Sequence, residues 1–296
     1  MDGDPDSTIV LRDEERSRLV EKSATCPFVG SAVAEGKLDV RNSVGNPLAS
    51  IADVRELGNS GGGDLGEVLV LFATGNHASM LGDGGKLDEP VPAGLFSLEF
   101  PGSQGAHPGH SGILMGDPTA LRSGRLSSVD FARLANRAAN GLIRRSDAGR
   151  FIAENLSNDP DAKVFGANVA IAFGGDLLAF ASTIGPSLLS ALRGTDDEAE
   201  HGLRRLEQKI TKLLGEDNLI GSAGEFGLLF ALMANRPDAP LVDGEPTVSV
   251  QDLERMFVQK RLPVGFETWR KLRTDWVTNT IALIIAASKK FSVDKV

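Results

Sequence analysis

The sequence predicts a mainly α-helical fold, on two observations. Apolar residues recur every three or four positions along most of the chain, whereas the two-residue alternation of half-buried strands is almost absent. Glycine and proline residues interrupt the apolar segments at intervals that suit helix ends and loops. The chain therefore reads as a series of helices joined by irregular segments.

The predicted helices follow in chain order. A charged amphipathic helix spans Asp13 to Lys22, a short one begins at Cys26 and is closed by Gly36, and a third is capped by Ser50. The remaining helices are predicted over 65–80, 128–140, 147–156, 164–192, 196–214, 224–234, 249–259 and 268–290. Residues 82–128 are rich in Gly and Pro and are predicted to be irregular, a length that usually serves a site or a lid.

Composition limits the classes of protein and partner. We expect an acidic, flexible tail over 1–12 and one globular domain over 13–296. A net charge of −9 argues against nucleic acid as a partner. The apolar stretches at 164–192 and 280–287 are interrupted or shorter than the ~20 residues that span a membrane. The start carries no basic-then-apolar leader, so the expected location is cytoplasmic, and the sequence allows a homo-oligomer.

Cys26 is the only cysteine and is followed directly by Pro27. This step is typical of a cysteine at a helix N-cap with proline as the first helical residue. The backbone N–H groups of Phe28 and Val29 would then face the sulfur and favour its thiolate form. A thiolate is a metal ligand or a nucleophile, although a lone cysteine also often only fills space in a core.

Four segments in chain order carry a family resemblance. They are Cys26-Pro27 with Ala32, Gly36 and Leu38; Leu71-Phe72-Ala73-Thr74 with His77 and Met80; Ser127 with Asp130; and Glu225-Phe226 through Leu253-Glu254-Arg255-Met256-Phe257 to Arg261-Leu262-Pro263 and Phe266. In them the chain resembles the haem-thiolate peroxidase family of chloroperoxidase and the unspecific peroxygenases (peroxidase family 2). The resemblance implies a single chloroperoxidase-like helical domain with long Gly/Pro-rich loops. It also implies a haem b cofactor with Cys26 as proximal iron ligand.

The resemblance further implies a magnesium ion beside the haem. Glu56 and Ser60 match the spacing of the family's ligands, with Asn59 as an extra oxygen donor. The alternative is that Glu56 is a solvated residue at a helix end and Ser60 an ordinary loop residue.

The side of the haem that meets peroxide departs from the family pattern. Met115 stands where the family has its acid-base glutamate, within Leu114-Met115-Gly116-Asp117. Asp117 and His110 are the candidate replacements, with His107 and Glu99 as weaker ones, and each could instead be a structural turn residue. Three phenylalanines are expected to make the haem pocket apolar: Phe72, Phe96 and Phe100.

The sequence therefore favours a haem-thiolate peroxidase or peroxygenase that uses hydrogen peroxide to oxidise or oxygenate a small apolar or aromatic organic substrate. Met115 leaves open a haem-binding sensor or carrier without efficient peroxide turnover. A third alternative is that Cys26 belongs to the core and no haem binds.

Overall fold

A computed structural model describes most of the first half of the chain and two segments of the second. The described residues are 8–9, 11–22, 26–43, 46–60, 63, 65–80, 91–101, 113–117, 120–158, 219–234 and 239–266. The helices predicted over 164–192, 196–214 and 268–290 lie outside these residues, as does most of the predicted N-terminal tail.

Eight helices form within the described ranges. They are α1 (Asp13–Lys22), α2 (Pro27–Ala34), α3 (Ile51–Gly58), α4 (Gly66–Asn76), α5 (Ser128–Ala135), α6 (Arg145–Asn158), α7 (Leu219–Ala234) and α8 (Val250–Phe257). Each coincides with a predicted helix, and Gly36 takes the left-handed conformation, φ +68°, expected where it closes α2. None of the eight is long and apolar enough to cross a membrane.

Ten strands accompany these helices in the same part of the chain. They are β1 (Thr8–Ile9), β2 (Val40–Ser43), β3 (Asn46–Ser50), β4 (His77–Ser79), β5 (Leu95–Pro101), β6 (Leu114–Asp117), β7 (Ala120–Leu126), β8 (Leu142–Arg144), β9 (Leu241–Val242) and β10 (Glu245–Ser249). They form antiparallel sheets in the orders β1-β2-β3-β5-β4, β8-β10-β9 and β6-β7. The prediction of a mainly α fold is therefore wrong for the described residues, which combine helices with antiparallel sheets.

Burial on both faces explains why the strands were missed. Four consecutive residues of β5, Leu95 to Leu98, are all buried, so this strand shows no apolar-polar alternation. The segment from 82 to 128, predicted to be irregular, contains β5, β6 and β7. The helix predicted over 65–80 stops at Asn76, and the next three residues form β4.

Most helices share one core. Phe28 and Val29 of α2 lie in it with Phe72 of α4, and the rings of Phe151 on α6 and Phe226 on α7 pack with their centroids 6.2 Å apart. A smaller apolar cluster lies beneath the large sheet and consists of Leu48, Ala78, Val91 and Leu95, with Phe100 packed against it. The core therefore holds α2 between α1 and α8.

Helices α3 and α4 approach each other too closely for a larger residue than glycine. A Cβ atom built on Gly66 would lie 2.6 Å from the Arg55 carbonyl oxygen and 2.7 Å from the Asn59 side chain. Asn59 also accepts a hydrogen bond from the Gly66 N–H at 2.9 Å. Residues 59 to 66 thus form a tight helix-to-helix connection.

Three helices begin with the same serine cap. Ser50, Ser127 and Ser249 each accept a hydrogen bond from the N–H of an aspartate three residues later. In the last case the Asp252 N–H lies 2.9 Å from the Ser249 hydroxyl, which itself donates to the Asp252 carboxylate at 2.8 Å. The sequence prediction that Ser249 opens a helix is confirmed.

Removal of this cap should destabilise the protein through α8. We expect Ser249→Ala to lower the free energy of unfolding by about 1 kcal/mol, because the Asp252 N–H loses its acceptor. Urea denaturation followed by circular dichroism measures the change. The control is Ser128→Ala, an exposed position that should stay within about 0.5 kcal/mol of wild type. Equal losses in both variants would contradict this role of the cap.

Candidate thiolate site

Cys26 occupies the N-cap of α2, as the sequence predicts. Its backbone is extended, with φ −61° and ψ 118°, and Pro27 is the first helical residue. The N–H of Gly30 donates to the Cys26 carbonyl at 2.8 Å, which starts the hydrogen-bond ladder of the helix. The Cys26 side chain is half-buried and accepts no capping bond from α2, so the sulfur lies at the positive end of the helix without acting as a cap.

The side chains of Phe28 and Val29 point into the core and not into an open site. Both are buried, and the Phe28 ring packs against Phe266 with 5.9 Å between centroids. Their predicted contribution to the thiolate therefore rests on their backbone N–H groups alone, which lie in the first turn of α2. This packing also joins the start of α2 to the segment that follows α8.

Lys260 is a functional candidate that sequence reasoning missed. Burial lowers the pKa of its ammonium, and the electrostatic interaction with Cys26 raises it. The amine and the sulfur are therefore close enough to influence each other, and a lysine ammonium stabilises a neighbouring thiolate. The residue has φ +54°, a left-handed conformation that costs a lysine roughly 1 kcal/mol or more and that glycine normally takes after a helix. A lysine at this position was the signal available in the sequence.

Glu35 and Arg255 fix the segment that carries Lys260. The Leu262 N–H donates to the Glu35 carboxylate at 3.2 Å, and the Arg255 Nε donates to the Leu262 carbonyl at 2.6 Å. Arg255 also pairs with Glu35, with 3.7 Å between nitrogen and oxygen. These contacts tie the end of α2 to residues 255 to 262. In addition, the buried Ser31 hydroxyl donates to the Met256 carbonyl at 3.3 Å.

The predicted magnesium ligands do not assemble into a recognisable metal site. Glu56 is exposed near the end of α3, and the Ser60 hydroxyl donates to the Leu57 carbonyl at 2.8 Å. Asn59 is used in the connection to α4. Across the described ranges, no group of three His, Cys, Asp or Glu residues could hold a metal ion. These contacts fit the alternative interpretation of the two residues, as parts of a helix end and its loop.

The predicted residues for the peroxide side are only partly described. Met115 and Asp117 lie on β6, where their backbones pair with Arg125 and Ala120 of β7. They therefore belong to a strand and not to the irregular loop that was predicted. His107 and His110 lie outside the described residues.

The predicted pocket phenylalanines belong to the two apolar clusters. Phe72 and Phe96 are buried in the main core, and Phe100 packs against the smaller cluster. Phe96 also contacts the buried imidazole of His77, with 5.6 Å between ring centroids. His77 carried the family resemblance of the fourth helix, and its burial in β4 was not predicted.

Comparison of the chain with protein-family models, with curated proteins and with solved structures gave no match. The functional assignment therefore depends on the residues themselves. Their geometry provides a half-buried sulfur at a helix N-terminus with an ammonium group beside it, which is an arrangement suited to a thiolate.

Lys260 should control the reactivity of this sulfur. We expect Lys260→Met to slow alkylation of Cys26 by iodoacetamide at pH 7 by roughly threefold or more, because the thiolate loses its neighbouring cation. Mass spectrometry of the modified protein over time gives the rate. Lys37→Met is the matched control, since it removes the same charge from an exposed position near the other end of α2. Identical rates in the two variants would exclude a specific role for Lys260.

Proposed function

We propose that the protein is a haem-thiolate oxidoreductase, with Cys26 as the proximal ligand of haem b. Hydrogen peroxide is its oxidant, and a small apolar or aromatic organic molecule is its substrate. The observation that carries the proposal is the placement of Cys26 at the N-terminus of α2 with Lys260 beside it. The resemblance to the haem-thiolate peroxidases supports it, because two of the four resembling segments, α2 and residues 253–266, pack against each other.

The residues around Cys26 fit an axial thiolate. A thiolate-ligated haem supplies peroxide O–O bond cleavage when it is bound, and the protein sets its ligand, polarity and access. The first-turn N–H groups of α2 and the Lys260 ammonium stabilise the negative charge of the sulfur. Glu35 and Arg255 hold the segment that carries this ammonium.

A proton acceptor for peroxide remains to be assigned. Asp117 on β6 and His110 are the proposed groups, since no carboxylate occupies the position of Met115. A magnesium ion on Glu56 and Ser60 is not included, because their described contacts do not form a metal site. A cytoplasmic location is included, since one cysteine gains nothing from an oxidising compartment.

Met115 favours a second candidate function, a haem sensor or carrier that does not turn over peroxide efficiently. A thioether cannot accept the proton that peroxide cleavage releases, and it is readily oxidised. Both candidates require the same thiolate ligand. They differ in the rate of reaction with peroxide.

The absorption spectrum of the purified protein with haem tests the ligand. We expect the ferrous-CO complex to show the red-shifted Soret band of a thiolate ligand, and Cys26→Ala to lose that shift. A matched haem titration of Lys37→Met should leave the band unchanged. A colourless wild-type protein that takes up no haem would contradict the proposal, as would a Cys26→Ala variant with an unaltered band.

Restoration of a carboxylate at position 115 tests the second candidate. If the missing acid-base limits turnover, Met115→Glu should accelerate the reaction with peroxide by roughly tenfold or more, as stopped-flow spectroscopy would show. Leu114→Glu is the control, because neighbouring residues of β6 face opposite sides of the strand. Equal rates in the two variants would remove position 115 from the haem site.

A further inference from the structure

His77 is a buried titratable residue to which the proposed chemistry assigns no role. Its side chain is only 1% exposed, on β4, and its ring packs against Phe96 of β5. The backbone N–H of His77 donates to the Ala73 carbonyl, so the residue also ends α4. Its imidazole therefore lies inside the protein, between a helix end and a sheet.

One imidazole nitrogen has a partner and the other does not. The ring forms a hydrogen bond with the Ser97 backbone, and Nε2 has no hydrogen-bond partner among the described residues. The bond to Ser97 is thus made by Nδ1, whose hydrogen points at the carbonyl. A second proton on Nε2 would be a buried donor without an acceptor, and the ring would become a buried cation.

The charged residues of the neighbouring elements do not offset that cost. Glu99 is the charged residue of β5 and Glu67 that of α4, and neither contributes to the titration of His77. Burial lowers the pKa of His77 from 6.5 to about 4, and the Ser97 carbonyl raises it only in part. The native site therefore keeps the imidazole neutral.

The strand that carries His77 is weakly attached. In the order β1-β2-β3-β5-β4, β4 is the edge strand and pairs with β5 alone. It has three residues, and its register shifts between His77 and Ser79. His77 lies opposite Pro101, which has no N–H to donate to the ladder. A strand held by so few bonds can open without unfolding of the domain.

We propose that β4 is an acid-released edge strand, in which protonation of His77 detaches β4 from β5 and uncovers the small apolar cluster around Ala78 and Leu95. Release lets the imidazolium reach water. It also frees one edge of β5, whose backbone groups are then open to another strand or to a partner.

The direction of the pH effect follows from proton linkage. The released strand binds a proton below pH 6.5, whereas the native site does so only below about pH 4. Between these values the released population rises roughly tenfold for each unit by which the pH falls. The stabilisation of the attached strand is therefore complete above pH 6.5 and is lost as the pH approaches 4.

Hydrogen exchange followed by mass spectrometry on the full chain tests this inference. From pH 7 to 4.5, after correction for intrinsic exchange, protection of residues 77–80 and 95–101 should fall roughly 50- to 100-fold, while that of α6 is retained. His77→Asn keeps a donor for the Ser97 carbonyl but cannot titrate, and should remove most of this fall. A triple variant with asparagine at the other three histidines (His107, His110 and His201) should retain it.

Three results would overturn the inference. They are unchanged protection of β4 in the wild type, an equal fall in His77→Asn, and simultaneous loss of protection throughout the domain. If His77→Asn does not fold, the triple variant leaves His77 as the one histidine, and its imidazole can be followed by NMR. A neutral ring down to pH 5 supports the inference, whereas titration near pH 6.5 contradicts it.

Discussion

The packing of α2 against α8 and the segment after it is the constraint on which the candidate site depends. The ion pair between Glu35 and Arg255 is partly exposed and adds little stability by itself. The hydrogen bonds of the same two side chains to the Leu262 backbone matter more, because they fix the chain next to Lys260. With Phe28 against Phe266, they bring an ammonium to the N-terminus of the helix that carries the cysteine.

The sequence predicted the elements whose signals are local. Cys26-Pro27 and the serine caps mark helix starts through their own side chains and backbone, and the structure has helices there. The strands were missed because their partners are distant in sequence and their residues, as in β5, are buried on both faces. Cys26 could be selected because it is unique, whereas Lys260 acquires its role only through the packing of α8 on α2.

The two histidine and cysteine environments place their polar groups under opposite conditions. The sulfur of Cys26 is half-buried beside a helix N-terminus and a cation, which favours its charged form. The imidazole of His77 is fully buried with no acceptor for a second proton among the described residues, which favours its neutral form. Charge on the first is therefore compatible with the native fold, and charge on the second opposes it.

The iron-edge X-ray absorption spectrum of the protein with bound haem tests the central claim, the bond between the Cys26 sulfur and iron, most directly. The account predicts one sulfur scatterer in the first shell of the iron in the wild type and none in Cys26→Ala. A first shell of nitrogen and oxygen atoms alone in the wild type would contradict it.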